Sequence, residues 1–197
     1  MKSSYLRVSA ALACAVLLSA CGGDDGQLLL AGTIVGVTKP GMVLTNNGGS
    51  DYEVPVPANG TSLAQFVFPG LISSDDKYDV RVKSVPSNVD ITTCRYLYNS
   101  GRAGFNVTNI EIACAFKTQA LSGTVSNLKG QLILVNGADR VTVPAGATTF
   151  TMAKVAQDAP YGVSVLENPA GQTCTVANGV GTMGAADVNN VTVTCAP

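Results

Sequence analysis

The chain has 197 residues, a formal net charge of −1, and charged side chains at only 13% of positions. It shows neither a basic run nor a basic surplus, which excludes the electrostatic footprint of a nucleic-acid binder. It has no histidine, which removes the usual general base and the commonest metal ligand, and it has no tryptophan.

In chain order, the first predicted element is a targeting segment. Lys2 and Arg7 lead into an apolar run over residues 8–17, broken only by Ser9, and small residues follow at Ser19 and Ala20. A charged start, a short apolar core and small residues before a cut describe a secretory signal over residues 1–20. The run is too short to span a bilayer as a mature helix. Leu18-Ser19-Ala20-Cys21 resembles the bacterial lipobox. That resemblance implies cleavage before Cys21 and acylation of its thiol and new amino group; an ordinary secretory signal with a stray cysteine is the alternative. Each buried CH₂ contributes about 0.8 kcal/mol, so several acyl chains anchor firmly. Gly22 stands where an aspartate would resemble an inner-membrane retention signal, so the resemblance points to the outer membrane. Residues 21–29 then read as the lipidated cysteine and a flexible tether. Loss of Lys2 and Arg7 leaves ten basic against thirteen acidic residues, a mature net charge of −3.

The rest of the chain repeats itself. Copy one covers residues 30–116, copy two residues 121–197, and residues 117–120 form the expected linker. Gly32-Thr33-Ile34 answers Gly123-Thr124-Val125, and Asn47-Gly48 answers Asn136-Gly137. Tyr78-Asp79-Val80-Arg81-Val82 answers Tyr161-Gly162-Val163-Ser164-Val165, and Pro86 answers Pro169. Each copy ends on a twin segment that reads as alternating strand: Asn106-Val107-Thr108-Asn109-Ile110-Glu111-Ile112-Ala113-Cys114, then Asp187-Val188-Asn189-Asn190-Val191-Thr192-Val193-Thr194-Cys195. The offset falls from 91 residues, Leu30 to Leu121, to 81, Cys114 to Cys195, so copy one has the longer loops. Each copy is expected to hold six or seven short strands with turn signals about every ten residues, the spacing of a two-sheet sandwich. Tyr78, Val80 and Val82 are expected inward, with Asp79, Arg81 and Lys83 outward. Both Asn-Gly pairs predict tight primed turns, whose two central residues take positive φ. No segment sustains a helical period.

Cys14 leaves with the signal and Cys21 is claimed by lipid. The four remaining cysteines allow three pairings. Their matched spacing in the two copies selects Cys94–Cys114 and Cys174–Cys195, in an envelope oxidising enough to keep them. Closing a loop of about twenty residues contributes on the order of 3 kcal/mol in the chain-entropy model. The rival four-thiolate metal site lacks close C-x₂₋₄-C pairs, and no C-x-x-C supports redox catalysis.

Candidate chemistry is sparse. Asp75-Asp76 reads as a solvated turn; a calcium site there would need further oxygen ligands. With no histidine, a serine nucleophile lacks its usual base, and no glycine-rich phosphate loop occurs. The Asn-x-Thr triplets at Asn59, Asn106 and Asn190 read as strand and turn composition. One stretch differs between the copies. Residues 95–105 of copy one carry Arg95, Tyr96, Tyr98 and Arg102, whereas residues 175–184 of copy two have neither aromatic nor charged side chains. Tyrosine and arginine make good contact hot spots, and Tyr96 and Tyr98 are expected to share a strand face. The stretch is either a hairpin with its tyrosines packed on the sheet edge or a loop tip that contacts a protein or glycan partner.

Taken together, Gly123-Thr124-Val125, Leu132 to Gly137, Tyr161 to Val165, Pro169, Cys174 and Asp187 to Cys195 resemble repeat modules of bacterial envelope lipoproteins and surface proteins. Asp187 stands where that pattern has asparagine. The resemblance implies an all-β chain of two tandem Ig-like β-sandwich domains, each with one intradomain disulfide, after a lipoprotein signal peptide. It further implies a non-enzymatic structural or protein-interaction module displayed from the outer membrane, with the membrane as a partner through the lipid anchor, a protein as a second partner, and no cofactor or bound metal. The alternative function is an adhesin-like module that binds glycan or protein through the Tyr96–Arg102 loop tip.

Overall fold

The computed structural model of the chain describes residues 26–58 and 60–197. The signal, the lipobox with Cys21, and Asn59 lie outside the described residues.

Repeat one contains β1 (Gln27–Leu28), β2 (Leu30–Val35), β3 (Val43–Asn46), β4 (Tyr52–Glu53) and β5 (Leu63–Val67). It continues with β6 (Ile72–Ser73), β7 (Lys77–Ser84), β8 (Arg95–Leu97), β9 (Ser100–Arg102) and β10 (Val107–Ala113). Repeat two contains β11 (Thr118–Ser126), β12 (Leu132–Asn136), β13 (Asp139–Val143) and β14 (Thr149–Ala156), then β15 (Pro160–Glu167), β16 (Thr173–Ala177), β17 (Val180–Thr182) and β18 (Val188–Ala196). The sheets β5-β2-β10-β8 and β4-β3-β7-β9 of repeat one match β14-β11-β18-β16 and β13-β12-β15-β17 of repeat two strand for strand. Each repeat is thus an Ig-like sandwich of two four-stranded sheets over its own buried cluster. Eight strands recur per repeat rather than six or seven, because one sequence run serves both sheets, as described below. The additional pair β1–β6 occupies the place where the long strands β11 and β14 begin to pair, at Thr118 opposite Ala156.

The closing strands do not alternate throughout. In β10, Val107, Ile110 and Ile112 are buried, but Thr108 and Asn109 are both exposed, and the pairing with β2 slips between Val107 and Ile110. The matching slip in repeat two falls between Leu121 and Gly123 of β11. Two polar residues in succession therefore mark a β-bulge within a parallel pair of first and last strands. The bulge drives a carbonyl onto the first strand. A Cβ added at Gly32 would lie 2.1 Å from the Ile110 carbonyl oxygen, and one at Gly123 would lie 2.1 Å from that of Val191. Glycine opens both Gly-Thr-Ile/Val runs because no side chain fits there.

The same geometry explains the tolerated Asn-to-Asp change. The Leu29 N–H donates to Asn106 Oδ1 at 2.9 Å, and the Ala120 N–H donates to Asp187 Oδ1 at 2.7 Å. Both side chains offer the same oxygen to the backbone of the entering strand.

The predicted inward set holds: Val80 is buried, Tyr78 and Val82 pack on the core, and Arg81 and Lys83 face solvent. Tyr78 and Tyr161 lie over the glycines facing them across the ladder, Gly101 and Gly181. The turns differ from expectation in one copy. Asn47 and Gly48 both take positive φ, at 51° and 67°, and Gly49 N–H donates to Asn46 O. In repeat two, Asn136 pairs with Asp139 and still belongs to the strand, so the turn's central residues are Gly137 and Ala138. Only Gly137 takes positive φ, at 57°, the requirement of the other primed turn.

The disulfides are Cys94–Cys114 and Cys174–Cys195, with Cα atoms 4.0 Å apart in each. Cys174 and Cys195 face each other across β16 and β18, and the first pair flanks β8 and β10. Each bridge therefore lashes an edge strand to the closing strand within one sheet rather than joining the two sheets.

Residues 117–120 are not a free linker. Thr118 already begins β11, and the Lys117 N–H and ammonium donate to Asn88 O and Ser87 O. Gln157 N–H donates to Lys117 O, and Lys39 Nζ lies 2.7 Å from Asp158 Oδ2. Likewise Gln27 and Leu28, assigned to the tether, are paired with Ser73 and Ile72.

Two substitutions test this skeleton. Gly123→Ala is expected to cost about 3 kcal/mol or more through overpacking against backbone, while Gly162→Ala, with open space around it, should stay within about 0.5 kcal/mol. Urea titration distinguishes them. Asp187→Ala is expected to lose about 1 kcal/mol with its hydrogen bond, and Asp187→Asn to retain it; thermal unfolding reads the difference.

Candidate functional site

The stretch singled out by sequence is neither a hairpin nor a protruding tip. β8 pairs with β10 in one sheet, whereas β9 pairs with β7 in the other. The run from Arg95 to Arg102 switches sheets and seals one edge of the sandwich. The switch needs a sharp bend, supplied at Tyr98 with φ 54° and in repeat two at Asn178 with φ 56°. Asparagine tolerates the left-handed region; tyrosine does so at a cost.

This bend separates the two tyrosines that alternation had placed on one face. Tyr96 is half buried and packs on the core. Its hydroxyl accepts from the Val82 N–H at 3.4 Å, so it reaches from one sheet to the other past the end of β9. The Arg81 guanidinium lies 5.3 Å from its ring centroid. Asn99 completes the seam by donating to Val80 O while its own carbonyl accepts the Val80 N–H. Tyr98 instead is 63% exposed.

The arginines separate as well. Arg102 Nη1 donates to Asp75 O at 2.8 Å and Oδ2 at 3.0 Å. Asp76 Oδ2 accepts from Ser73 N–H. The acidic pair thus closes the β6–β7 turn, and Asp158 repeats the φ of Asp75 in repeat two, 69° against 70°. Among the described residues, no three histidine, cysteine, aspartate or glutamate side chains group together. Asp90, which caps the turn before Cys94, has its carboxyl held below the usual range by hydrogen bonds from the Thr92 hydroxyl and backbone. A depressed pKa contributes stability above the ordinary carboxylate range, and that contribution is lost as pH falls through the lowered value.

Arg95 does belong to a surface feature, one that sequence reasoning missed. Beside it on the outer face of β5-β2-β10-β8 lie Leu97, Val35 and Leu63, exposed by 57%, 37% and 51%, with Glu111 between. Together they line a groove of about 570 Å³. Val67 adds a further half-exposed apolar side chain on β5. By strand register, repeat two has Thr175, Ala177, Ser126, Ala147, Thr192 and Thr151 at the corresponding positions. The signal was available as apolar residues at outward positions of strands, but it emerges only once the copies are aligned by register.

Three Ig-like-type structures are similar to the chain at low identity. The Bacillus anthracis TIE protein is 12% identical with a TM-score of 0.46; the match covers 87% of this chain but 34% of that one, so the chain spans about a third of its length. A major pilin of Streptococcus pyogenes is 12% identical, TM-score 0.35, over 88% of this chain and 98% of the pilin. A single B repeat unit of the collagen-binding surface protein of Staphylococcus aureus is 15% identical, TM-score 0.28, over 86% and 97%. No protein-family model matches the chain. No curated protein matches it.

The bend gives a direct prediction. Tyr98→Asn is expected to stabilise the protein by about 1 kcal/mol by relieving the left-handed tyrosine, read as a raised urea midpoint with unchanged slope.

Proposed function

We propose that the protein is a non-enzymatic lipoprotein of the outer membrane, anchored through acylated Cys21, that presents a protein-contact face on repeat one. The lipobox directly after an apolar run supports the anchor. The observation that carries the contact reading is the divergence between two equal sandwiches: the outer face of repeat one exposes Leu63, Val35, Val67 and Leu97, where repeat two has alanine, serine and threonine. Exposed apolar side chains that line a groove together with charged ones, here Arg95 and Glu111, make a surface of the kind protein partners use. Arg95 and Tyr98 belong to this contact. Tyr96 and Arg102 serve the fold, so the contact lies on the sheet face and its edge rather than on a loop tip. The protein works by anchoring and contact.

A photo-crosslinking amino acid at Leu97 in intact cells is expected to give a discrete adduct, while the same probe at the matching Ala177 gives none. Equal labelling at both sites sinks the contact reading. Labelled palmitate is expected to enter the wild-type chain and not the Cys21→Ala form; a Cys21→Ala form that still fractionates with membranes removes the anchor.

A further inference from the structure

The end of repeat one from which the chain runs back to Cys21 carries its own apolar side chains. Leu28 pairs with Ile72, the Leu29 N–H is bonded to Asn106, and Gly26 lies against Ser74. Three turns therefore surround the entering chain: 68–71, 74–76 and 103–106. Phe105, next to Asn106, is 79% exposed, and Leu71, next to Ile72, is 48% exposed. Leu29 adds a third apolar side chain at 40%.

Repeat two makes the same end differently. Asn106 corresponds to Asp187, so Phe105 corresponds to Ala186, and Pro69-Gly70-Leu71 stands where repeat two has Ala153-Lys154. That end of repeat two faces repeat one, through Gln157 and Asp158. Of these two equivalent ends, it is the one where the chain enters repeat one that carries the large apolar residues.

From these observations, and resting on the anchor reading above, we propose that this end of repeat one sits in the lipid surface, with Phe105 inserted and Leu71 and Leu29 beside it. Only five peptide links separate Gly26 from Cys21. Even fully extended they span about 17 Å, so an acylated Cys21 holds these turns within reach of the headgroups. An aromatic side chain suits that depth. Asp24 and Asp25 lie in the tether itself, and the carboxylates of the turns are held locally. Asp75 is paired with Arg102, and Asp76 accepts a backbone N–H. With no basic cluster at this end, the contact is apolar and does not require anionic lipid.

The test uses the absence of tryptophan. A chain beginning at Cys21 is coupled through that thiol to a maleimide-headgroup lipid in phosphatidylcholine vesicles, which supplies the anchor chemically. Phe105→Trp is expected to shift its emission to shorter wavelength and to lose intensity when the vesicles carry brominated acyl chains. Val180→Trp, on the 82% exposed side chain of repeat two, is expected to do neither. A Leu71→Trp reporter is expected to lose its quenching when Phe105→Asp is added, with at least about a tenfold drop in the inserted population. Raised salt should leave the signal unchanged. Phe105→Trp emission as unquenched as that of Val180→Trp overturns the proposal. So does a blue shift that appears without vesicles and grows with protein concentration, which would place Phe105 against a second copy. Because coupling is chemical, failure of palmitate labelling in cells would remove the anchor reading while leaving the vesicle result to stand or fall separately.

Discussion

Each sandwich depends on the parallel pairing of its first and last long strands. That pairing places both the opening and the closing strand between two neighbours. It requires the closing strand to bulge, and the bulge presses a carbonyl against the opening strand at Gly32 and at Gly123. The other recurrent features fall into place around this contact. The Asn106 and Asp187 carboxamide and carboxylate receive the opening strand's N–H just before the bulge, and the disulfide locks the edge strand onto the closing strand beyond it. A domain of this size buries a modest core, so a covalent tie at the sheet edge adds stability where pairing is shortest.

With the skeleton shared, differences between the repeats become informative. Gly32, Asn106, Tyr78 and the cysteines occupy positions where backbone contact, hydrogen bonding or covalent geometry leaves little choice. Outward strand positions carry no such demand, and there the copies diverge into an apolar face on repeat one and a hydroxyl-rich face on repeat two. The bend residue of the sheet switch diverges too: Tyr98 holds a backbone conformation that suits Asn178 better. Bulk at Phe105 and Leu71 appears at the end of repeat one that receives the chain from Cys21. The junction between repeats is firmer than a four-residue linker suggests, because Lys117 is bonded on both sides and Lys39 reaches Asp158. That ion pair is partly exposed and contributes little energy by itself; the backbone bonds carry the continuity.

Much of this architecture was legible in the residues. Duplication, strand class, the inward set around Val80 and both disulfide pairings follow from spacing, because a period of two and a repeated landmark order survive any detail of packing. Local pattern failed where a residue's partner lies far along the chain. Thr108-Asn109 reads as ordinary alternation until β2 shows the slipped register. Tyr96 and Tyr98 read as one face until the strand is seen to change sheets between them. Arg102 looks like a free contact residue until Asp75, 27 positions earlier, is found beside it.

By itself, then, the amino-acid order determined that the chain is all-β, twice built, twice bridged and led by a segment that resembles a lipoprotein signal. Those properties reside in periodicity and spacing, which are local. Only the tertiary structure decided which arginine and which tyrosine are free, which outward residues form one surface, and which end carries Phe105. Such questions turn on register and on which sheet a strand joins, and a shift of one residue in either turns a side chain from core to solvent.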